Sequence, residues 1–235
     1  MILSTYQPYF APYPGFFYKA HLSDIFVVLD NVQFPRGTTW ITRNRFKNDQ
    51  GILWMTVPVW KKGRGLQIIN EVRICREGRW ARKHLASLQQ AYDKAPYFRD
   101  HLGFMAQLFS SPFEKLIDLN MTVIKYLMQQ LGIQIEIRLL SELPIQAKGE
   151  QLLIQICQSL GAACYLAQSP ARKFLDAERF RAAGLQIQFF HPPSCVYPQL
   201  WGNFLPDLSA LDLLFNCGPR AREILWAAGS PPQTC

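Results

Sequence analysis

Apolar and polar positions follow three different rhythms along this chain, and the changes of rhythm mark its elements. Ile2 to Tyr6 reads as a strand, and Asp24 to Asp30 is a continuous β-branched run, apolar on both faces as a buried parallel strand is. Phe16 to Leu22 reads as a short helix between them, so the chain opens with a βαβ unit. The rhythm then changes to alternating segments, Thr38 to Phe46, Ile52 to Val59 and Leu66 to Ile74, parted by Asn48-Asp49-Gln50-Gly51 and Lys61-Lys62-Gly63-Arg64-Gly65. These predict an antiparallel β insertion over about 35–75.

A helical rhythm takes over from Arg79 to Tyr92 and from Pro96 to Phe109. Ser111-Pro112-Phe113-Glu114 combines a Ser N-cap, Pro at the first helical position and Glu three residues after the Ser, predicting a helix that runs through Leu131 and stops at Gly132. Strand and helix then repeat: Gln134 to Leu139, Gln151 to Leu160 ended by Gly161, Ala163 to Ala167, a helix over Ala171 to Ala183 capped by Ser169-Pro170, and Leu185 to Phe190. Val196 to Leu200 offers a last edge strand. Ser209 opens a helix through Phe215, Gly218-Pro219 starts another to Trp226, and 227–235 reads as a disordered tail. This alternation predicts one α/β domain over 1–226, with a mostly parallel central sheet flanked by helices and a Rossmann-like, nucleotidylyltransferase-like core.

Composition fits that picture, with 49% hydrophobic and 18% charged residues in 235. No apolar run is long enough to span a bilayer and no basic region precedes an apolar core at the N-terminus, so a cytoplasmic protein without membrane insertion is expected. Six cysteines are scattered without a CxxC pair or a Cys/His cluster, which points to reduced thiols and no metal site. The net charge of +8 is regional: residues 1–100 hold 15 Lys/Arg against 7 Asp/Glu, while 101–235 hold 10 of each. Such a surplus suits an anionic partner, whether nucleotide, phosphorylated carrier or RNA, or simply a solubilising surface.

The chain carries no Walker A loop, GxGxxG, GxSxG or HExxH. Candidate chemistry lies in loops that follow strands. The opening Gln7 to Gly15 loop is stiffened by prolines and crowded with rings, Tyr9 among them, and suits a binding wall. Gln7, Asp30, Asn31 and Gln33 end the first two strands; together they suit a hydroxyl-rich or amine-bearing ligand, with Asp30 as base or amine anchor, although Asp30 and Asn31 equally suit turn caps. Alternation puts Arg43 and Arg45 on one face of a strand, spaced to grip one anionic group or to face solvent, and Asn44 lies between them. Lys61 and Lys62 sit in a flexible basic loop suited to phosphates. His84, beside Arg82 and Lys83, would have its pKa lowered by those cations and serve as a neutral base. Tyr197, Gln199, Asp212 and Asn216 add polar groups near the C-terminus, Asn216 and Gly218 also making an ordinary helix stop, and Cys217 would be a nucleophile only with a His partner.

Taken together, Gln7-Pro8 with Pro12, Gly15 to Lys19, Ser23 to Phe34, Arg43-Asn44-Arg45, Lys94 to Phe98, Val196 to Leu200 and Leu208 to Gly218 resemble the WbqC-like family of bacterial proteins over about residues 2–225. The resemblance implies transfer of an acyl or aminoacyl group to an amino sugar in surface polysaccharide (O-antigen) biosynthesis, from an activated donor and without a tightly bound cofactor. Tyr6 stands where the family often has His. Pantothenate-synthetase-like nucleotidylyltransferases share the strand, rigid loop, helix, strand arrangement, but Pro14-Gly15-Phe16 replaces their His-x-Gly-His signature.

Three expectations follow. The first is a transferase using a nucleotide or nucleotide-sugar ligand, with Gln7, Asp30 and Gln33 orienting the acceptor, Asp30 or His84 taking its proton, and Arg43, Arg45, Lys61 and Lys62 holding phosphates. The second is an aminoacyl-tRNA-dependent transferase or RNA-binding module. The third is a non-catalytic scaffold of a polysaccharide-assembly complex.

Overall fold

A computed structural model describes residues 1–192 and 194–229 and the backbone of 233–234. β1 (Ile2–Tyr6) leads through α1 (Pro14–His21) to β2 (Ile25–Val28). A hairpin, β3 (Arg43–Asn48) and β4 (Gly51–Thr56), precedes three helices, α2 (Trp80–Tyr92), α3 (Phe98–Ser110) and α4 (Leu116–Gln130). Then come β5 (Glu136–Leu139), α5 (Gly149–Ser159), β6 (Cys164–Gln168), α6 (Ala177–Ala182) and β7 (Gln186–Phe190), followed by α7 (Ala210–Cys217), α8 (Arg220–Ala227) and a short β8 (Gln233–Thr234).

The central sheet runs β5-β2-β1-β6-β7-β8, with the first five strands parallel and β8 antiparallel to β7. Numbered among themselves, the parallel strands stand in the order 3-2-1-4-5 of doubly wound sheets, which reverses between β1 and β6. In β1, Leu3 faces one apolar core with Ile25, Val27, α5 and α6; the other face carries Phe26, Val28 and Leu166 into a larger core with α1, α4 and α7. Both faces are therefore covered, as the continuous apolar run of β2 requires. Of the expected tail, α8 ends at Ala227 and Gln233–Thr234 lie beside β7, while 230–232 and Cys235 lie outside the described residues.

Four expected elements differ. Leu66 to Ile74 is not a third ribbon strand: its middle is a 3-10 turn, Ile69–Glu71, and only single bridges form, Gln33 to Ile68, Val59 to Ile74 and Arg73 to Lys115. The Ser111 cap does not open a helix. Ser111 Oγ donates to Gln107 O at 2.7 Å and closes α3, because residues 114–116 are drawn out against 72–74, with Ile74 N donating to Glu114 O and Leu116 N to Val72 O. Ser169-Pro170 starts a 3-10 turn, Ser169–Lys173, and the cap of α6 is Asp176, whose Oδ1 accepts Glu178 N at 3.0 Å. Val196 to Leu200 is loop: Pro198 lacks an N–H, the outer edge of β7 is taken by β8, and Tyr197 turns inward.

Candidate functional site: two cavities at the carboxyl edge

Ligands of open parallel sheets bind beyond the carboxyl ends of the strands, above all where strand order reverses. Here the loop leaving β1 runs along that place. Its shape is fixed by two buried asparagines: Asn120 Nδ2 donates to Pro8 O (2.7 Å) and Ile41 O (2.8 Å), and Asn44 Nδ2 to Phe10 O (3.0 Å) and Ala11 O (2.8 Å). The amide of Asn44 thus holds Ala11 in the left-handed region at φ 44°, a strained place for a residue with a Cβ. Gly15 lies within α1, and a Cβ there would sit 2.5 Å from the Tyr13 ring and 2.8 Å from Pro192. Its role is close approach.

The loop borders two cavities. The first, about 620 Å³, lies beyond β1, β2 and β5 and is lined by Gln7, Asn31, Gln33, Gln67, Gln146, Lys148 and the N-terminal residue of α5, Gly149, with Val32, Leu140 and Leu152 among its apolar residues. Five carboxamides and one cation surround it, with no carboxylate in the lining. The second, about 470 Å³, lies beyond β1 and β6 at the reversal point and is lined by Tyr6, Tyr9, Tyr13, Trp40, Asn44, Arg45, Gln168, Pro170, Pro192, Ser194 and Asp207. Gln168 Nε2 donates to Tyr13 Oη at 2.7 Å, and the Tyr6 and Tyr13 hydroxyls lie 3.0 Å apart. Burial pushes all three tyrosine pKa values up, Tyr9 to about 12, so the rings carry protonated hydroxyls.

The expected common cleft for Gln7, Asp30, Arg43 and Arg45 is therefore divided. Gln7, Asn31 and Gln33 share the first cavity; Tyr9, Asn44 and Arg45 share the second. Asp30 lines neither. It is buried, with Oδ1 accepting Ser141 N at 2.9 Å, Oδ2 accepting Ser141 Oγ at 2.6 Å, and Asn70 Nδ2 at 3.5 Å. Arg43 and Arg45 do share one face of the hairpin, but they stack on rings, Arg43 at 3.9 Å from the Trp54 centroid and Arg45 at 5.5 Å from Trp40. Arg45 Nη2 also donates to the main-chain oxygen of Asp207 at 2.9 Å.

Lys61 donates to Gly37 O at 3.0 Å and lies over Phe34, lining with Arg36 and Gly65 a hollow that adjoins the first cavity at Leu66 and Gln67; Lys62 is exposed. His84 lies outside both cavities, its Nε2 2.9 Å from Thr56 O between the Trp80 and Phe109 rings. Its pKa is lowered by burial, and the hydrogen bond to Thr56 opposes that; the neighbouring cations are not the cause.

The C-terminal group is a buried network. Asp212 accepts Tyr92 Oη at 2.6 Å, Tyr197 Oη at 2.8 Å and Asn216 Nδ2 at 3.3 Å, and burial raises its pKa against those bonds. Lys47 Nζ nearby donates to Gln199 Oε1 and Asn203 O. Asn216 thus holds Asp212 as well as ending a helix. Burial pushes the Cys217 thiol up to about 11, which leaves it a thiol. Among the described residues no three His, Cys, Asp or Glu side chains are placed to hold a metal ion, and no helix is long and apolar enough to cross a membrane.

Gln67, Gln146, Lys148, Gln168 and Asp207 escaped the sequence reading. Gln168 alone had a signal, as the last residue of a strand before Ser169-Pro170.

A doubly wound parallel sheet with two ligand-sized cavities at its carboxyl edge places the chain among α/β proteins that build their sites from loops after strands. Within that class it belongs to the WbqC-like protein family, whose model matches residues 7–224. It is 31% identical over 222 residues, 93% of this chain and 95% of the relative, to a Mycobacterium tuberculosis protein named uncharacterized protein Rv1507c. No solved structure gives a significant match.

Proposed function

We propose that this protein is a transferase placing an acyl or aminoacyl group on an amino sugar, nucleotide-linked or carrier-linked, for a bacterial surface polysaccharide. The observation that carries the reading is the first cavity: a 620 Å³ space whose carboxamides match sugar hydroxyls or base edges and whose one charged side chain is Lys148, beside the start of α5. That chemistry suits a polyhydroxylated anion such as a nucleotide sugar. In the transfer the acceptor nitrogen bonds the acyl carbon, the donor's leaving group departs with the bonding electrons, and the nitrogen gives up a proton to a base.

Calorimetric titration with a UDP-hexosamine tests the reading. Binding is expected, and Lys148→Ala should weaken it about fivefold to twentyfold. Absence of binding by any nucleotide sugar to the folded protein would remove it.

One observation favours an RNA-facing reading, in which the donor is an aminoacyl-tRNA. Trp40 and Trp54, 40% and 42% exposed, lie 5.8 Å apart with Arg43 and Arg45 against them. Contact with many phosphates would make log K fall steeply with log salt, whereas a single diphosphate gives a shallow slope.

A further inference from the structure

Three features make the second cavity more than a gap beside the loop. First, its hydrogen-bonding capacity is unspent. The Tyr6 and Tyr13 hydroxyls share one hydrogen bond, and Tyr13 Oη also accepts from Gln168, so one of the two O–H protons is left for an outside acceptor. The Arg45 Nε–H is shielded from solvent and has no acceptor among the described residues. A buried donor left unmatched costs free energy that a ligand oxygen would recover.

Second, the walls are rings: Tyr6, Tyr9, Tyr13 and Trp40 line a space of about 470 Å³, large enough for a pyranose. Tyr6 packs on Tyr9 at 5.2 Å and on Phe16 at 4.7 Å, so this wall is stiff.

Third, the two cavities differ in charge. The first has Lys148 and no carboxylate; the second has Arg45 and Asp207, the one carboxylate in either lining. Arg45 is partly spent on Trp40 and on the main-chain oxygen of Asp207, which leaves the Asp207 side chain uncommitted to it in that bond. Asp207 is held at φ 54°, a left-handed conformation that fixes where its side chain leaves the backbone. Its charge is felt at Tyr13, where it adds to burial in keeping the hydroxyl protonated.

We infer that the second cavity is the acceptor site, and that it takes a pyranose ring carrying an amine. The ring stacks on the aromatic walls, Tyr13 and Gln168 orient a ring hydroxyl, and Asp207 receives the amine. This deepens the transferase reading and rests on it only for the word acceptor. The loop from β1 borders both sites, with the anionic part on the β2 side and the amino-sugar ring on the β6 side.

The test is saturation-transfer NMR on the full chain with glucosamine and with glucose, neither of which carries a phosphate for the first cavity. Glucosamine should bind at about millimolar affinity and more tightly than glucose. Gln168→Ala should weaken both sugars about fivefold to tenfold. Asp207→Asn should abolish the preference for glucosamine while leaving glucose binding in place, and Lys148→Ala should change neither. Circular dichroism on each variant separates loss of binding from loss of fold, and Tyr13→Phe, which keeps the ring, provides a second variant expected to weaken both sugars. No glucosamine binding by the folded wild type, or binding indifferent to Gln168→Ala, Tyr13→Phe and Asp207→Asn, overturns the inference. If UDP-hexosamine fails to bind while glucosamine shows the expected pattern, the transferase reading falls and the sugar site stands.

Discussion

Asp212 and Lys19 are both buried charges, 1% and 5% exposed, and the protein treats them in opposite ways. Asp212 is surrounded by donors from three elements: Tyr92 from α2, Asn216 from α7 and Tyr197 from the preceding loop. Lys19, on α1 beneath the sheet, has one acceptor among the described residues, Thr5 O at 2.8 Å, and two rings, Tyr6 at 4.9 Å and Tyr165 at 5.9 Å. Burial alone pulls its pKa down to about 7. A buried carboxylate with a full set of donors fastens a fold together, whereas a buried amine with a single carbonyl taxes it.

The largest effect that would break this contrast comes from Asp212→Ala. It strands two buried tyrosine hydroxyls, and a loss of about 4 kcal/mol is expected in urea unfolding. A loss below about 1 kcal/mol would show that the network carries little. Lys19→Met should act in the other direction, gaining about 2 kcal/mol at neutral pH because a desolvated amine is replaced by an apolar chain of similar length.

The sign with pH sharpens the point. Lys19 holds its proton less tightly folded (about 7) than unfolded (10.5), so in that window the unfolded chain binds more protons. Its contribution to stability is fully present above 10.5 and is lost as pH falls through about 7. The advantage of Lys19→Met should therefore shrink by up to about 1.4 kcal/mol per pH unit above 7, as read from paired denaturation curves. A pH-independent gap would mean that Lys19 keeps its ordinary pKa.

Asp30 is the mild intermediate case. Its two oxygens are held mainly by one residue, Ser141, so Asp30→Asn, with the same shape, should cost only about 1 kcal/mol. A nucleotide-sugar affinity that falls sharply in a fully folded Asp30→Asn would show that this carboxylate also serves the first cavity.

The sheet was legible in the sequence because short β-prone runs alternate with helical segments, and β2, covered on both faces, is apolar throughout. Ile2 to Tyr6 matches β1, and the other parallel strands are found within a few residues. What the sequence hid was decided at long range. Leu66 to Ile74 alternates like a strand, yet its single bridges come from Gln33, Val59 and Lys115, and the Ser111 cap loses to pairing between 72–74 and 114–116. The site follows the same division. Gln7, Asn31 and Gln33 could be found because they follow adjacent strands of one βαβ unit. Gln168 shows only as the end of a strand and Asp207 not at all, since nothing local says that β6 lies beside β1, or that Arg45 reaches residue 207. Asp212 looked like site chemistry because a carboxylate among polar residues reads alike whether it faces a ligand or Tyr92, 120 positions away.

The asparagine tethers on the loop after β1 bear on time as well as shape. A partition already tied at Pro8, Phe10 and Ala11 has no closing step to perform when a ligand arrives. Occupation of either cavity should then be a single encounter whose observed rate climbs linearly with ligand concentration and shows no slow saturating phase. The loop would then act as a fixed wall of both chambers.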